Sequence, residues 1–256
     1  VIKYKEYSVV AKKDRVGETY PTNKYGIVRI VRYVNCEDVD IVFLDTGYRA
    51  NYSMVQIMSG VVKDRLQPSV YGVGILGVDS NCYQDNAYTH WRSMLERCFS
   101  EKVNKRLRAY NDVSVSDNFK YYSYFKEWCN KQVGFGNEGW QLDKDIIMKG
   151  SRVYSEETCC FVPHEINNLL NKQTYGESRD LPVGVCYDKG RKKFVAKLSM
   201  KSITKNLGRF ETCEEAFLAY KQAKEAYIKE ITELYKDQID SRVYEALMKY
   251  EVDIND

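Results

Sequence analysis

A chain of 256 residues with 44% hydrophobic and 29% charged content, 22 Tyr and only 4 Pro reads as two or three folded units and excludes a disordered polypeptide. No run approaches the roughly 18 apolar residues of a membrane span, and the N-terminal VIKYKEYSVVAKKDR lacks the apolar core of a signal peptide, so a cytoplasmic protein without a membrane partner is expected. The net charge of +3 does not argue for nucleic acid by itself, and eight scattered cysteines with no C-x-x-C pair and two His read as reduced thiols, not as a zinc finger.

Residues 1–66 read as a small, strongly curved β-domain. Tyr25 to Val34 and Val39 to Thr46 are strand-like runs separated by Asn35-Cys36-Glu37-Asp38, a hairpin signal. In the first run Ile27, Arg29, Val31 and Tyr33 alternate with Val28, Ile30, Arg32 and Val34, giving one apolar and one mixed face. Small barrels bind proteins as readily as DNA, so this domain is a candidate contact for a protein partner. Its Lys12, Lys13, Arg15, Arg29 and Arg32 are equally candidate extensions of a DNA footprint. Residues 67–80, QPSVYGVGILGVDS, carry three glycines and a proline and suit a connector.

The period changes in residues 81–175. Trp91, Met94, Leu95 and Cys98 recur at helical spacing, as do Phe119, Tyr122, Phe125 and Trp128 after a possible cap at Asp117, and these aromatics are read as core. His90 is read as an ordinary helix histidine.

Residues 181–256 divide into three short strands, PVGVCYD, KKFVAKLSM and SITKNLGRF, and one long helix. Thr212 and Glu215 form a T-x-x-E capping box at its start, and Cys213, Ala216, Phe217, Tyr220, Ala223, Tyr227, Ile231 and Leu234 make an apolar stripe that needs a sheet to cover it. Between Pro182 and Arg209 stand eight basic residues, Lys189, Arg191, Lys192, Lys193, Lys197, Lys201, Lys205 and Arg209, against the single acid Asp188. The next stretch, to Asp240, is mostly acidic, so positive potential is confined to the strands. Strand period turns Phe194, Ala196 and Leu198 toward the helix and Val195, Lys197 and Ser199 away from it. The same logic places Thr204, Asn206 and Arg209 outward.

Gly184-Val185, Lys193-Phe194-Val195-Ala196, Leu207-Gly208-Arg209-Phe210, Glu214-Glu215-Ala216 and Ala219-Tyr220, in that order, resemble the AP2 domain of plant transcription factors and of phage and mobile-element endonucleases. The resemblance covers about Leu181 to Tyr235. It implies binding of double-stranded DNA through the sheet, with Lys189, Arg191, Lys193, Lys197, Lys201 and Lys205 against phosphates and Ser199, Thr204, Asn206 and Arg209 toward base edges. The plant domains carry arginines and a tryptophan on the outward face, where this chain has Cys186, Asp188, Ser199, Thr204 and Asn206. Their DNA sequence therefore does not carry over.

Leu142-Asp143-Lys144-Asp145-Ile146, Gly150, Glu157-Thr158-Cys159, Val162-Pro163-His164 and Asn167 are similar in layout to the HNH nucleases, in which an AP2 domain often follows. That likeness implies a ββα-like segment in which Asp143 and Asn167 hold Mg²⁺ and a base activates water. The base position is Lys144, ordinarily protonated near neutrality. A deprotonated Lys144, a substitute base at His164, or loss of cleavage are the three ways to read it. The expectation is a multi-domain α+β, phage-type DNA-binding protein in which cleavage is lost. The alternatives are an Mg²⁺-dependent endonuclease and a virion or host-interaction protein, for which the 22 tyrosines speak.

Overall fold

The computed structural model describes residues 14–78, 85–106, 112–170, 181–200 and 203–254. The chain is a multi-domain α+β protein with helices and several separate sheets. It divides into two compact units, Val1–Tyr83 with Lys120–Ser123, and Gln84–Phe119 with Tyr124–Asp256. Among the described residues no helix is long and apolar enough to cross a membrane.

The first unit is an antiparallel meander of β1 (Thr19–Pro21), β2 (Ile27–Asn35), β3 (Asp38–Phe43) and β4 (Arg49–Tyr52), closed by α1 (Met54–Met58). Asn35 pairs with Asp38 across the hairpin, and its side-chain oxygen accepts the Glu37 N–H at 2.8 Å. Val28, Ile30, Val39, Ile41 and Phe43 alternate into a core completed by Met54 and Ile57. A register shift between Ile30 and Arg32 breaks the strict alternation expected of β2. Tyr33 therefore packs on the core, and Arg32 stands opposite Asp40 on the other face. There its guanidinium donates to Asp38 at 2.7 Å and to Asp40, while the Asn51 amide donates to the same two carboxylates at 2.8 and 2.7 Å. Hydrogen bonds from Arg32, and secondarily from Asn51, hold both carboxyls below the ordinary aspartate range. Arg15 is likewise paired, with Glu18 at 3.0 Å, whereas Lys12 and Lys13 lie outside the described residues.

The second unit begins with α2 (Asn86–Phe99), capped by the Asp85 side chain, and α3 (Glu101–Arg106). Trp91, Met94, Leu95 and Cys98 are all buried, and the Trp91 indole donates to the Phe119 carbonyl at 2.7 Å. A short β5 (Ser114–Val115) precedes a 3₁₀ turn over Asn118–Lys120 and α4 (Tyr122–Asn130). Phe119, Phe125 and Trp128 pack edge-on or tilted in the core with centroids 4.9 to 5.6 Å apart. Then follow β6 (Trp140–Asp143), β7 (Val153–Tyr154), β8 (Cys160–Pro163) and α5 (His164–Leu170), with β6 antiparallel to β8 and β7 parallel to β5.

The C-terminal strands are β9 (Val185–Asp188), β10 (Lys193–Met200) and β11 (Ile203–Phe210), antiparallel with β10 in the middle, followed by α6 (Cys213–Leu234) and α7 (Ser241–Met248). At 22 residues α6 is about 33 Å long and serves two cores. Its first turns bury Ala216, Phe217 and Tyr220 against Ala196 and Leu198. Farther along, Ile228 and Ile231 join Val162, Ile166, Val243 and Leu247. Because the partner changes from a sheet to helices and a hairpin, the buried stripe swings. Ile228 and Thr232 are buried, while Leu234, expected on the stripe, is 64% exposed.

Candidate nucleic-acid interface

The sheet β9–β10–β11 is held against α6 by features written in the sequence. Thr212 Oγ1 accepts the Glu215 N–H at 3.2 Å and Glu215 returns the bond to the Thr212 N–H at 3.3 Å, a complete capping box. Gly184 has φ +77°, and a Cβ there would meet the Tyr220 ring at 2.1 Å, so only glycine lets the start of β9 lie on the helix. Phe194, Ala196 and Leu198 turn to α6, as their spacing predicts.

The outward face is read from the ladder. Lys193 stands opposite Asp188, Val195 between Cys186 and Arg209, Lys197 opposite Asn206, and Ser199 opposite Thr204. A bulge between Ala196 and Lys197 leaves Leu207 without a cross-strand partner. Gly208, at φ +148°, completes the bulge, and the Asn206 side-chain oxygen accepts its N–H at 3.0 Å. The Asn206 amide nitrogen remains to donate outward. The Ser199 and Thr204 hydroxyls bond each other at 3.0 Å.

Six of the residues singled out in the sequence thus share one face: Lys193, Lys197, Ser199, Thr204, Asn206 and Arg209. Lys189 and Arg191 belong to the exposed β9–β10 turn at its edge. Lys205 pairs with Leu198, a helix-facing residue, and so stands in the opposite register, exposed on the edge strand. Lys201 lies outside the described residues.

Most of the cations on this side already have partners. Arg191 and Arg209 approach the Asp188 carboxylate at 3.3 and 3.8 Å, and Lys193 pairs with Glu211. Backbone N–H bonds, foremost from Arg191, keep the Asp188 carboxyl below its ordinary range. Glu211 was not singled out from the sequence. It follows directly on Phe210, which pairs with Phe194, and that register places it beside Lys193.

The residues similar to an HNH site follow the expected strand, strand, helix order in β6, β8 and α5, and part of their polar atoms bond within the chain. Asp143 pairs with Cys160 and Trp140 with Pro163, so Asp143 and His164 sit at opposite ends of the ladder, about 13 Å apart along the strand. Asp143 Oδ1 accepts the N–H groups of Asp145 and Ile146, both at 2.8 Å, and burial raises its carboxyl above the usual range. Lys144 is buried, and its ammonium donates to Asp145 at 2.7 Å and to the Ser151 carbonyl at 2.6 Å. The exposed His164 ring lies 2.7 Å from the Asn168 amide. Asn167 donates its amide to Gln141.

A hard cation such as Mg²⁺ asks for several open oxygens around one point. Asp143 Oδ1 is tied to two backbone N–H groups and the Asn167 amide nitrogen to Gln141, so Asp143 Oδ2 and the Asn167 carbonyl oxygen are the oxygens these two residues could offer such a cation. Among the described residues no group of three or more His, Cys, Asp or Glu is placed to hold a metal. His90 packs edge-on to Phe161 at 5.1 Å, and burial lowers its pKa.

Comparison with known proteins finds no matching family model, no matching curated protein and no matching solved structure.

Proposed function

We propose that this chain binds double-stranded DNA through the outward face of β9–β11 and does so without cutting it. The supporting observation is the ladder itself, which collects Lys193, Lys197, Asn206 and Arg209 on the side of the sheet that α6 leaves open. A twisted three-stranded sheet with such a face can enter the major groove, lysines meeting phosphates while amide and guanidinium donors meet base edges. The front unit's role in this reading is a contact for a protein partner.

The test is a gel shift on duplex DNA over a range of salt. Lys197→Ala should lower the log–log salt slope by about one unit, because one phosphate contact is lost. Lys205→Ala, in the opposite register, should leave it unchanged. Equal losses from both variants would overturn the assignment of this face.

One observation favours a nuclease as the second reading: β6, β8 and α5 keep the strand, strand, helix order of that family resemblance. Supercoiled plasmid incubated with Mg²⁺ or Mn²⁺ separates the two. Intact plasmid is expected, and nicking that disappears in Asp143→Ala would replace the binding-only reading.

A further inference from the structure

The sheet carries its own counter-anion. Asp188 Oδ1 accepts the N–H groups of Gly190 and Arg191, each at 3.1 Å, and so folds the β9–β10 turn. Its Oδ2 is the atom that Arg191 and Arg209 approach, the first from that turn and the second from β11. Since β9 and β11 flank β10, one carboxylate reaches across the width of the face. Of the cations Arg191, Lys193, Lys197 and Arg209, only Lys197 has no ion pair among the described residues.

Sequence-independent binding of a polyanion comes almost wholly from cations that neutralise its charges. A cation already paired with a fixed carboxylate must give up that partner or bring the carboxylate against the polyanion, and either lowers the affinity by the same amount at every sequence. Directional contacts to base edges are lowered no further. Discrimination between DNA sites is a difference of affinities, and a repulsive element that subtracts from the common part sharpens it.

We propose that Asp188 is a fixed counter-anion that holds down sequence-independent polyanion binding by this face. The biological partner rests on the DNA-binding reading above, whereas the charge argument applies to any polyanion. The experiment therefore uses two probes, a short random-sequence duplex and heparin, with fluorescence anisotropy over a salt series on the full chain. Asp188→Asn keeps an oxygen for the turn and removes the charge. It should bind both probes about three- to tenfold more tightly near 0.1 M salt, with a slope steeper by about one unit. Unchanged or weaker binding of both probes overturns the proposal, as does binding of neither. Tighter heparin binding with no duplex binding by parent or variant upholds the counter-anion and removes the DNA reading. Asp188→Ser, which also retains an acceptor for the turn, repeats the measurement where circular dichroism shows the asparagine variant to be misfolded.

Discussion

On the outward face of the β1–β4 sheet one guanidinium, Arg32, meets two carboxylates, Asp38 and Asp40; on that of the β9–β11 sheet two guanidinia, Arg191 and Arg209, share the carboxylate of Asp188. The first cluster is left with one negative charge and the second with one positive charge. In the sequence Arg29 and Arg32 were candidate extensions of a DNA footprint and the run from Lys189 to Arg209 its basic centre, and neither set carries a sign of its partners. What a polyanion meets is the charge left after cross-strand pairing, and only register reveals it. These exposed pairs contribute little to stability. Their effect lies in what the face offers to a ligand.

The largest expected effect tests whether the second sheet depends on its helix. Phe217 is 7% exposed and packs with Ala196 and Leu198, so Phe217→Ala should cost about 3–5 kcal/mol in denaturant unfolding. DNA binding should fall with it although every cation remains. A variant with the parent's unfolding midpoint would show that the helix does not support the face.

Lys144→Met should cost about 1–3 kcal/mol, because the buried Ser151 carbonyl loses its donor. The same variant distinguishes structure from catalysis: plasmid cleavage present in the parent and absent here, with stability unchanged, would make Lys144 a reacting group. The contrast between the two faces is sharpened by Arg32→Ala. It should leave the salt slope of DNA binding where it was, since it removes a charge already cancelled by Asp38 and Asp40. A slope reduced as much as in Lys197→Ala would erase the distinction.

The smallest effect concerns acid. Burial raises the Asp143 carboxyl, so the folded state holds its proton more tightly than the unfolded one between the ordinary value of 3.8 and the raised value. Stability from this group is present below that window and lost as pH rises through the folded pKa. Asp38 and Asp40, held low by Arg32, act in the opposite sense and lose their contribution as pH falls below 3.8. Asp143→Asn keeps the oxygen for the Asp145 and Ile146 N–H groups and should flatten the decline above pH 4. A decline identical to the parent's would mean that another group titrates there.

Local signals were legible where a residue's own spacing or conformation decides the outcome. The capping box at Thr212 and Glu215, the burial of Trp91, Met94 and Leu95, and the inward set Phe194, Ala196 and Leu198 follow from helix and strand periods alone. The bulges beside Arg32 and Lys197 were not legible, because an extra residue in one strand is defined only against its partner. One such residue exchanges the faces of everything beyond it, which is why Tyr33 turns to the core. The commitments of Asp143 and Lys144 were hidden for another reason. A sequence motif names side chains, and the Asp145, Ile146 and Ser151 backbone groups that occupy them have no letters.

A helix rooted in two cores has a consequence for how this part of the chain comes apart. Ala216, Phe217 and Tyr220 answer to the β9–β11 sheet, while Ile228 and Ile231, two turns on, answer to Val162, Ile166, Val243 and Leu247. Excising residues 181–256 would keep the sheet but strip Val162 and Ile166 from the far end of α6, leaving an oily groove between α6 and α7 open to water. Such a fragment would self-associate through that groove. In the intact chain the amide protons beside both buried stretches of α6 should exchange slowly, while those of its first turn and of its exposed end at Leu234 exchange early.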